Sequence, residues 1–196
     1  GSLIVPKLRN PAETLRVVEA RDFGGDMLLK EVQARVVALL RMAEALSPKY
    51  HIVVANPPYM FAKGMNEALA DLAKKSYPKT KSDLFAIFME VCQHLAISDG
   101  YFALINMQTW MFLPSFEKFR NALFAENTIV SMAHIGERGF ETIGGAVVST
   151  TAFVAKRSFA PDYYGTFMRL VDGQSESEKS RTFKDALTLG TGNVKF

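Results

Sequence analysis

Apolar residues along this chain recur at helical spacing in some stretches and in short β-rich runs in others. In residues 26–46 they fall at Leu29, Val32, Val36, Leu39, Leu40 and Ala43, one face of a helix. Asp26 is a good N-cap after the Gly24-Gly25 break, and Ser47-Pro48 end the helix. Residues 50–55 (YHIVVA) form a short apolar run that reads as a buried strand of a parallel sheet. A loop over residues 60–81 holds a short predicted helix near 67–74. A helix over 83–97 follows, capped by Ser82 and closed by Asp99 and Gly100. Residues 101–106 predict the next buried strand, and Pro114 opens a helix to about Phe124. Residues 128–135 read as a strand, 136–145 as a glycine-rich loop and 146–156 as a long strand. Weaker signals predict a short strand at 15–19, another at 163–171, and a solvated helix or linker at 174–184. Strands alternating with helices give an α/β, doubly wound pattern.

Composition changes this picture little. The chain has 196 residues, 48% of them hydrophobic, enough for one domain with a real core. A net charge of +3 and a pI of about 9.0 permit a nucleic-acid partner without demanding one. The single cysteine, Cys92, excludes an intrachain disulfide, and its helical spacing with Phe85, Phe88 and Leu95 reads as core. No apolar run reaches transmembrane length, so no membrane is expected and a reducing cytoplasm is the natural compartment. His51, His94 and His134 lack metal-ligand spacing and read as structural; no metal site is expected. Gly144-Gly145 is too short for a phosphate-binding loop.

The chemistry concentrates where the 50–55 run meets Asn56-Pro57-Pro58-Tyr59. Ligands of open α/β sheets bind at the carboxyl ends of strands. Each proline forces the preceding residue into an extended conformation and lacks an N–H. The result is a stiff corner offering two acceptors, the Asn56 side-chain oxygen and the Pro57 carbonyl. Two fixed acceptors suit a planar NH2 group. Gripping both hydrogens of such a nitrogen draws it toward tetrahedral geometry and frees its lone pair for a methyl sulfonium. Tyr59 adds a ring to stack on a base, worth about 1–3 kcal/mol per base. A proline-terminated strand running into a surface turn is the bland alternative.

These residues resemble the γ-type N6-adenine DNA methyltransferases, including the large enzymes of type IIG restriction and BREX-type phage-exclusion systems. The resemblance runs from about Tyr50 to Arg157. Asn56-Pro57-Pro58-Tyr59 matches the catalytic motif, and residues 82–90 (SDLFAIFME) resemble the motif after it. Residues 100–110 (GYFALINMQTW) resemble the following strand, and 136–156 the loop and strand that close over the target base. The resemblance implies a partial doubly wound, Rossmann-like methyltransferase fold, its sheet mostly parallel with one antiparallel strand at 146–156. It implies S-adenosylmethionine as methyl donor and double-stranded DNA as partner, the target adenine being flipped from the duplex. Tyr59 and Phe140 would face the flipped ring, while Pro58 and Phe88 would wall the donor's adenine. Phe88 also sits on an apolar helical face, so core packing stays open for it. Lys63, Lys74, Lys75, Lys79 and Lys81 suit either DNA phosphates or a plain solvated surface.

The family's cofactor half carries a strand, a glycine-rich turn and acidic strand ends; none is legible before Asn56, and Gly24-Gly25-Asp26 follows no convincing strand. The expected organisation is an N-terminal segment with one helix (1–49), the catalytic half (50–157) and an extension or linker (158–196) toward a target-recognition region. On this reading the chain is part of a larger enzyme, incomplete in its cofactor site and inactive by itself. The sheet edge at 50–55 would pair with the missing half or with a second copy in a homodimer. Two other functions share the tetrapeptide or the platform: methylation of a protein glutamine or of RNA, and a non-catalytic DNA-binding or interaction module.

Overall fold

The computed structural model describes residues 10–140 and 148–189. The chain divides into two compact units, Gly1–Lys49 and Tyr50–Phe196.

The first unit is a pair of helices, α1 (Pro11–Glu19) and α2 (Met27–Leu46). The short strand expected at 15–19 is instead the second half of α1. Asn10 caps that helix, its side chain accepting from Glu13 N at 3.1 Å, and Pro11 occupies the first turn, where a missing N–H costs nothing. Asp26 caps α2 through the amides of Leu28 and Leu29, both at 3.0 Å. Gln33 bridges the pair by donating to the carbonyls of Val18 and Arg21 at 2.7 and 2.8 Å.

The second unit is built on a five-stranded sheet of order β1-β2-β4-β3-β5. Its strands are β1 (Tyr50–Ala55), β2 (Ala96–Met107), β3 (Thr128–Gly136), β4 (Thr150–Lys156) and β5 (Thr166–Arg169). Strand β1 runs parallel to β2 and β3 parallel to β5, whereas β4 lies antiparallel between β2 and β3. The sheet is thus mostly parallel with one antiparallel strand, as the resemblance implies. The loop after β1 carries α3 (Glu67–Ser76). Helices α4 (Leu84–Leu95), α5 (Thr109–Phe112), α6 (Glu117–Glu126) and α7 (Glu176–Leu189) complete the unit.

Several boundaries differ from the sequence reading. Asp83, not Ser82, caps α4, with its carboxylate accepting from Phe85 N at 3.2 Å. The helix stops at Leu95 and the chain passes straight into β2, because Ala96 already pairs with Tyr50. Asp99 and Gly100 form an irregularity inside that strand: Asp99 has φ +61°, and a Cβ on Gly100 would stand 2.9 Å from the His51 carbonyl. Pro114 opens a 3-10 turn, Pro114–Phe116, ahead of α6. The expected strand start at Ala146 and the Gly144-Gly145 pair lie outside the described residues; β4 begins at Thr150. Beyond Arg157 the chain adds β5 and α7 to the same unit.

Period-2 alternation divides the two faces of the sheet. Phe102, Leu104, Phe153 and Ala155 point to the face covered by α4 and α6, where they pack with Phe85, Met89, Trp110, Phe119 and Leu123. On the opposite face Val54, Ala103, Ile105, Ala133, Ala152 and Val154 line an open trough of about 670 Å3, flanked by Phe183 and Leu187 of α7. Strand β1 has no partner on its outer side among the described residues, and Ile52 and Val54 are 67% and 73% exposed, so residues 50–55 form an exposed edge strand and not the buried one expected.

Candidate active site

Strand β1 ends at Ala55, opposite Leu104 of β2, so Asn56 leaves the sheet at the carboxyl end of β1. Asn56 is exposed and its side chain makes no hydrogen bond to another described residue. Pro57 is buried and Pro58 exposed. Tyr59 is half-buried. Its ring stands edge-on to Phe85, centroids 6.4 Å apart at 87°, and its hydroxyl donates to the Ile105 carbonyl at 3.4 Å. Burial pushes that hydroxyl above its ordinary pKa. The corner is therefore stiff through its prolines and moored to the core through one ring.

A second mooring comes from Asp83, which sequence reasoning placed in a motif without a role. Its carboxylate accepts from Met60 N at 3.2 Å as well as capping α4. Leu84 N donates back to the Met60 carbonyl at 2.9 Å, and Ala62 N donates to the Ser82 carbonyl at 2.9 Å. The residues just past Tyr59 are thus stitched to the N-terminus of α4. Asp83 is 1% exposed, and its Oδ2 has no partner among the described residues. Burial raises its pKa, while the amides of Phe85, Met60 and Leu84 pull it back down.

The carboxyl end of β2 carries further polar groups. Asn106 is fully buried and accepts from Trp110 Nε1 at 3.2 Å; its Nδ2 has no partner among the described residues. Gln108 contacts His134 Nε2 at 2.5 Å, and its amide donates to the Ser149 carbonyl at 2.9 Å. His134 lies against Phe112, with ring centroids 5.7 Å apart. Its pKa is lowered, first by burial and then by Arg169 and Lys179, which favours the neutral imidazole. The alternation of β2 makes Asn106 an inward polar residue, a signal the sequence carries. The partners of His134 depend on pairing across strands and carry no such signal.

Phe140 is half-buried, four residues beyond the end of the β3 ladder at Gly136. Strands β1 and β3 are parallel to each other through β2 and β4, so Asn56 and Phe140 emerge at the same end of the sheet. Three inter-strand steps separate them, roughly 14 Å. Phe88 is half-buried in a helix whose Phe85, Ala86, Ile87 and Met89 are completely buried. Lys63, Lys74, Lys75, Lys79 and Lys81 are all exposed on the stretch between the corner and α4; Lys74 lies 3.8 Å from Asp71. No group of His, Cys, Asp and Glu among the described residues could hold a metal ion. No helix among them is long and apolar enough to cross a membrane.

A proline-bound corner at the end of a parallel strand is followed by a crossover helix, and one antiparallel strand is set between parallel ones, the pattern of a methyltransferase-type α/β sheet. Residues 20–140 match the family model described as Eco57I restriction-modification methylase, and the chain belongs to this family. It is 46% identical over 156 residues to the adenine-specific methyltransferase BrxX of Escherichia coli O9:H4 (strain HS), covering 80% of this chain and 13% of that protein. It is 47% identical over 149 residues to the adenine-specific methyltransferase PglX of Lacticaseibacillus casei (strain Zhang), covering 76% of this chain and 12% of that one. The chain therefore spans a small part of the curated relatives it matches. Among solved structures, the DrdV–DNA complex superposes with a TM-score of 0.56 at 15% identity, over 76% of this chain and 18% of DrdV. A nuclease-deletion mutant of the Type ISP restriction-modification enzyme LlaGI, bound to a DNA substrate mimic, gives 0.53 at 14% identity, over 88% of this chain and 16% of LlaGI. At these identities the likeness is one of fold.

Proposed function

We propose that this chain supplies the catalytic corner with which a longer restriction-modification or phage-defence protein methylates N6 of adenine in DNA. The observation that carries this reading is the Asn56 side chain. It stands exposed at the carboxyl end of β1, without a partner among the described residues, on a backbone held by two prolines, the Tyr59–Phe85 contact and the Met60–Asp83 bond. The naming of BrxX and PglX as adenine-specific methyltransferases supports the choice of target.

Asn56 Oδ1 and the Pro57 carbonyl accept the two hydrogens of the adenine amino group and draw the nitrogen lone pair out of the ring plane. Because the corner is already rigid, little reorganisation accompanies charge development on that nitrogen. Tyr59 stacks on the extruded base and Phe140 faces it from the β3 side. S-adenosylmethionine, when bound, supplies the methyl group as a sulfonium electrophile. The half-buried Phe88 and the exposed Pro58 fit the wall of a pocket for its adenine. The exposed lysines after the corner suit duplex phosphates. The outer edge of β1 suits pairing with the rest of the parent's sheet, and a second copy is the other candidate for it.

Asn56→Ala in the full-length protein should lower methyl incorporation into DNA by at least about a hundredfold, as when one prepared dipole is removed from a reacting centre. DNA affinity should change far less, because phosphate contacts dominate it. Labelled-methyl incorporation and DNA binding measured side by side test this. Near-normal incorporation by a folded Asn56→Ala protein would overturn the assignment.

A further inference from the structure

Lys179 of α7 is only 4% exposed and forms no direct ion pair among the described residues, although Asp172, Glu137 and Glu178 favour its charge from farther off. Its ammonium meets backbone carbonyls instead: Ile135 and Leu170 at 2.8 Å and Val171 at 3.5 Å. An apolar side chain of similar length would fill that space without the desolvation of a charge. What the lysine adds is direction, since it gathers the carbonyls at the ends of β3 and β5 onto one point.

Ile135 is the penultimate residue of β3, which ends at Gly136 before the turn that leads to Phe140. Gly136 there has φ +71°, and a Cβ on it would stand 2.8 Å from Val171 Cγ1. Arg138 has φ +56° and donates from Nη1 to Gln174 Oε1 at 3.0 Å. A Cβ on Gly139 would stand 2.5 Å from Ile135 Cγ2, so the turn doubles back onto the strand it has left. Gln174 is itself held, its amide donating to Glu178 at 2.7 Å and its side chain to the Asp172 carbonyl at 3.0 Å. The exit of β3 is thus tied at residues 135, 136 and 138, each time to the segment 170–179.

We propose that Lys179 is a positioning residue for base capture, setting the direction in which β3 delivers Phe140 toward the face of the base opposite Tyr59. This rests on the reading that Phe140 contacts the flipped adenine. Arg138 and Gln174 form the outer part of the same tie, and the segment after Arg157 acts on the methylation site through it.

The test uses the full-length protein with two duplexes of one sequence, taken from where the parent methylates DNA. One carries 2-aminopurine in place of the target adenine and serves for fluorescence; the other keeps the adenine and serves for methylation, since 2-aminopurine lacks the N6 amino group. Fluorescence reports base extrusion, and steady-state methylation separates kcat from KM. Lys179→Met keeps the stem and removes the donors. It should lose most of the fluorescence rise and lower kcat about tenfold, with DNA affinity within about twofold. Lys179→Arg should recover much of both. Lys179→Met combined with Phe140→Ala should be no worse than Phe140→Ala alone, because both act through one ring. A folded Lys179→Met with full fluorescence and kcat, or a double variant whose losses simply add, would overturn the proposal. Should Lys179→Met fail to fold, Gln174→Ala decides: it frees Arg138 at the exposed end and should reduce the fluorescence rise, and an unchanged rise counts against the tie. If Phe140→Ala leaves fluorescence intact while Asn56→Ala abolishes methylation, the ring assignment fails, and this proposal with it, while the catalytic corner stands.

Discussion

The corner after β1 and the exit of β3 leave the same end of the sheet and are rigid for opposite reasons. The corner, Asn56 to Tyr59, is stiffened covalently: two pyrrolidine rings restrict the backbone whatever surrounds it. The exit, Gly136 to Phe140, has two glycines and two left-handed residues, and is held by contacts from a segment some forty positions later together with the pairing of Gly136 with Thr150. A local device resists mutation of its neighbours; a tertiary one fails when a distant partner changes.

This contrast can be broken at its strongest point first. Tyr59→Ala removes the ring that moors the corner to Phe85 as well as the stacking surface. It should lower unfolding free energy by roughly 2 kcal/mol, less than for a fully buried aromatic, and weaken capture of the flipped base. Tyr59→Phe loses only the 3.4 Å bond to the Ile105 carbonyl and should stay within about 1 kcal/mol of the parent. Urea unfolding together with 2-aminopurine fluorescence separates the two effects.

The glycines give a middle-sized test. Gly136→Ala puts a Cβ at positive φ, 2.8 Å from Val171, and should cost roughly 1–3 kcal/mol. Gly64→Ala, near the corner, meets only the flexible Met60 side chain at 3.3 Å without positive φ, and should change stability by under about 1 kcal/mol. Equal melting temperatures for the two variants would mean that the exit is not held as described.

The smallest effect is a pH dependence at Asp83. Burial raises its folded pKa above the ordinary carboxylate value, so its stabilising contribution is fully present below about pH 4 and is lost as pH rises through the folded value. Asp83→Asn keeps a capping side chain but cannot ionise. The variant should therefore gain on the parent between about pH 4 and neutrality, with denaturation midpoints in urea diverging across that window. Parallel pH profiles for the two proteins would show that the three amide hydrogen bonds cancel the burial.

Much of the fold was legible because it rests on local rules. The β-rich runs at 50–55, 101–106 and 128–135, the Asp26 cap and the helix inside the 60–81 loop all follow from spacing and capping chemistry. The strand expected at 15–19 failed although a local signal contradicted it: Asn10-Pro11 with Glu13 is a helix start, and Asn10 and Glu13 bond reciprocally. The end of α4 was misplaced for a different reason. Asp99-Gly100 is ordinary helix-stop chemistry, but pairing of Ala96 with Tyr50 takes the chain into the sheet four residues sooner than Gly100.

By itself the sequence determined the proline corner after β1, the order of the main strands and helices from β1 to β4, and the candidate residues Asn56, Pro57, Pro58 and Tyr59, because proline geometry and side-chain periodicity are properties of neighbours along the chain. Only the tertiary structure decided that Asp83 moors Met60, that Gln108 meets His134, and that Lys179 lies buried beneath Ile135 and Leu170. The physical reason is the same in each case. A carbonyl or amide becomes a partner only once two distant segments lie side by side, and a lysine within the polar run 174–184 gives no sign of whether water or backbone oxygens will surround it.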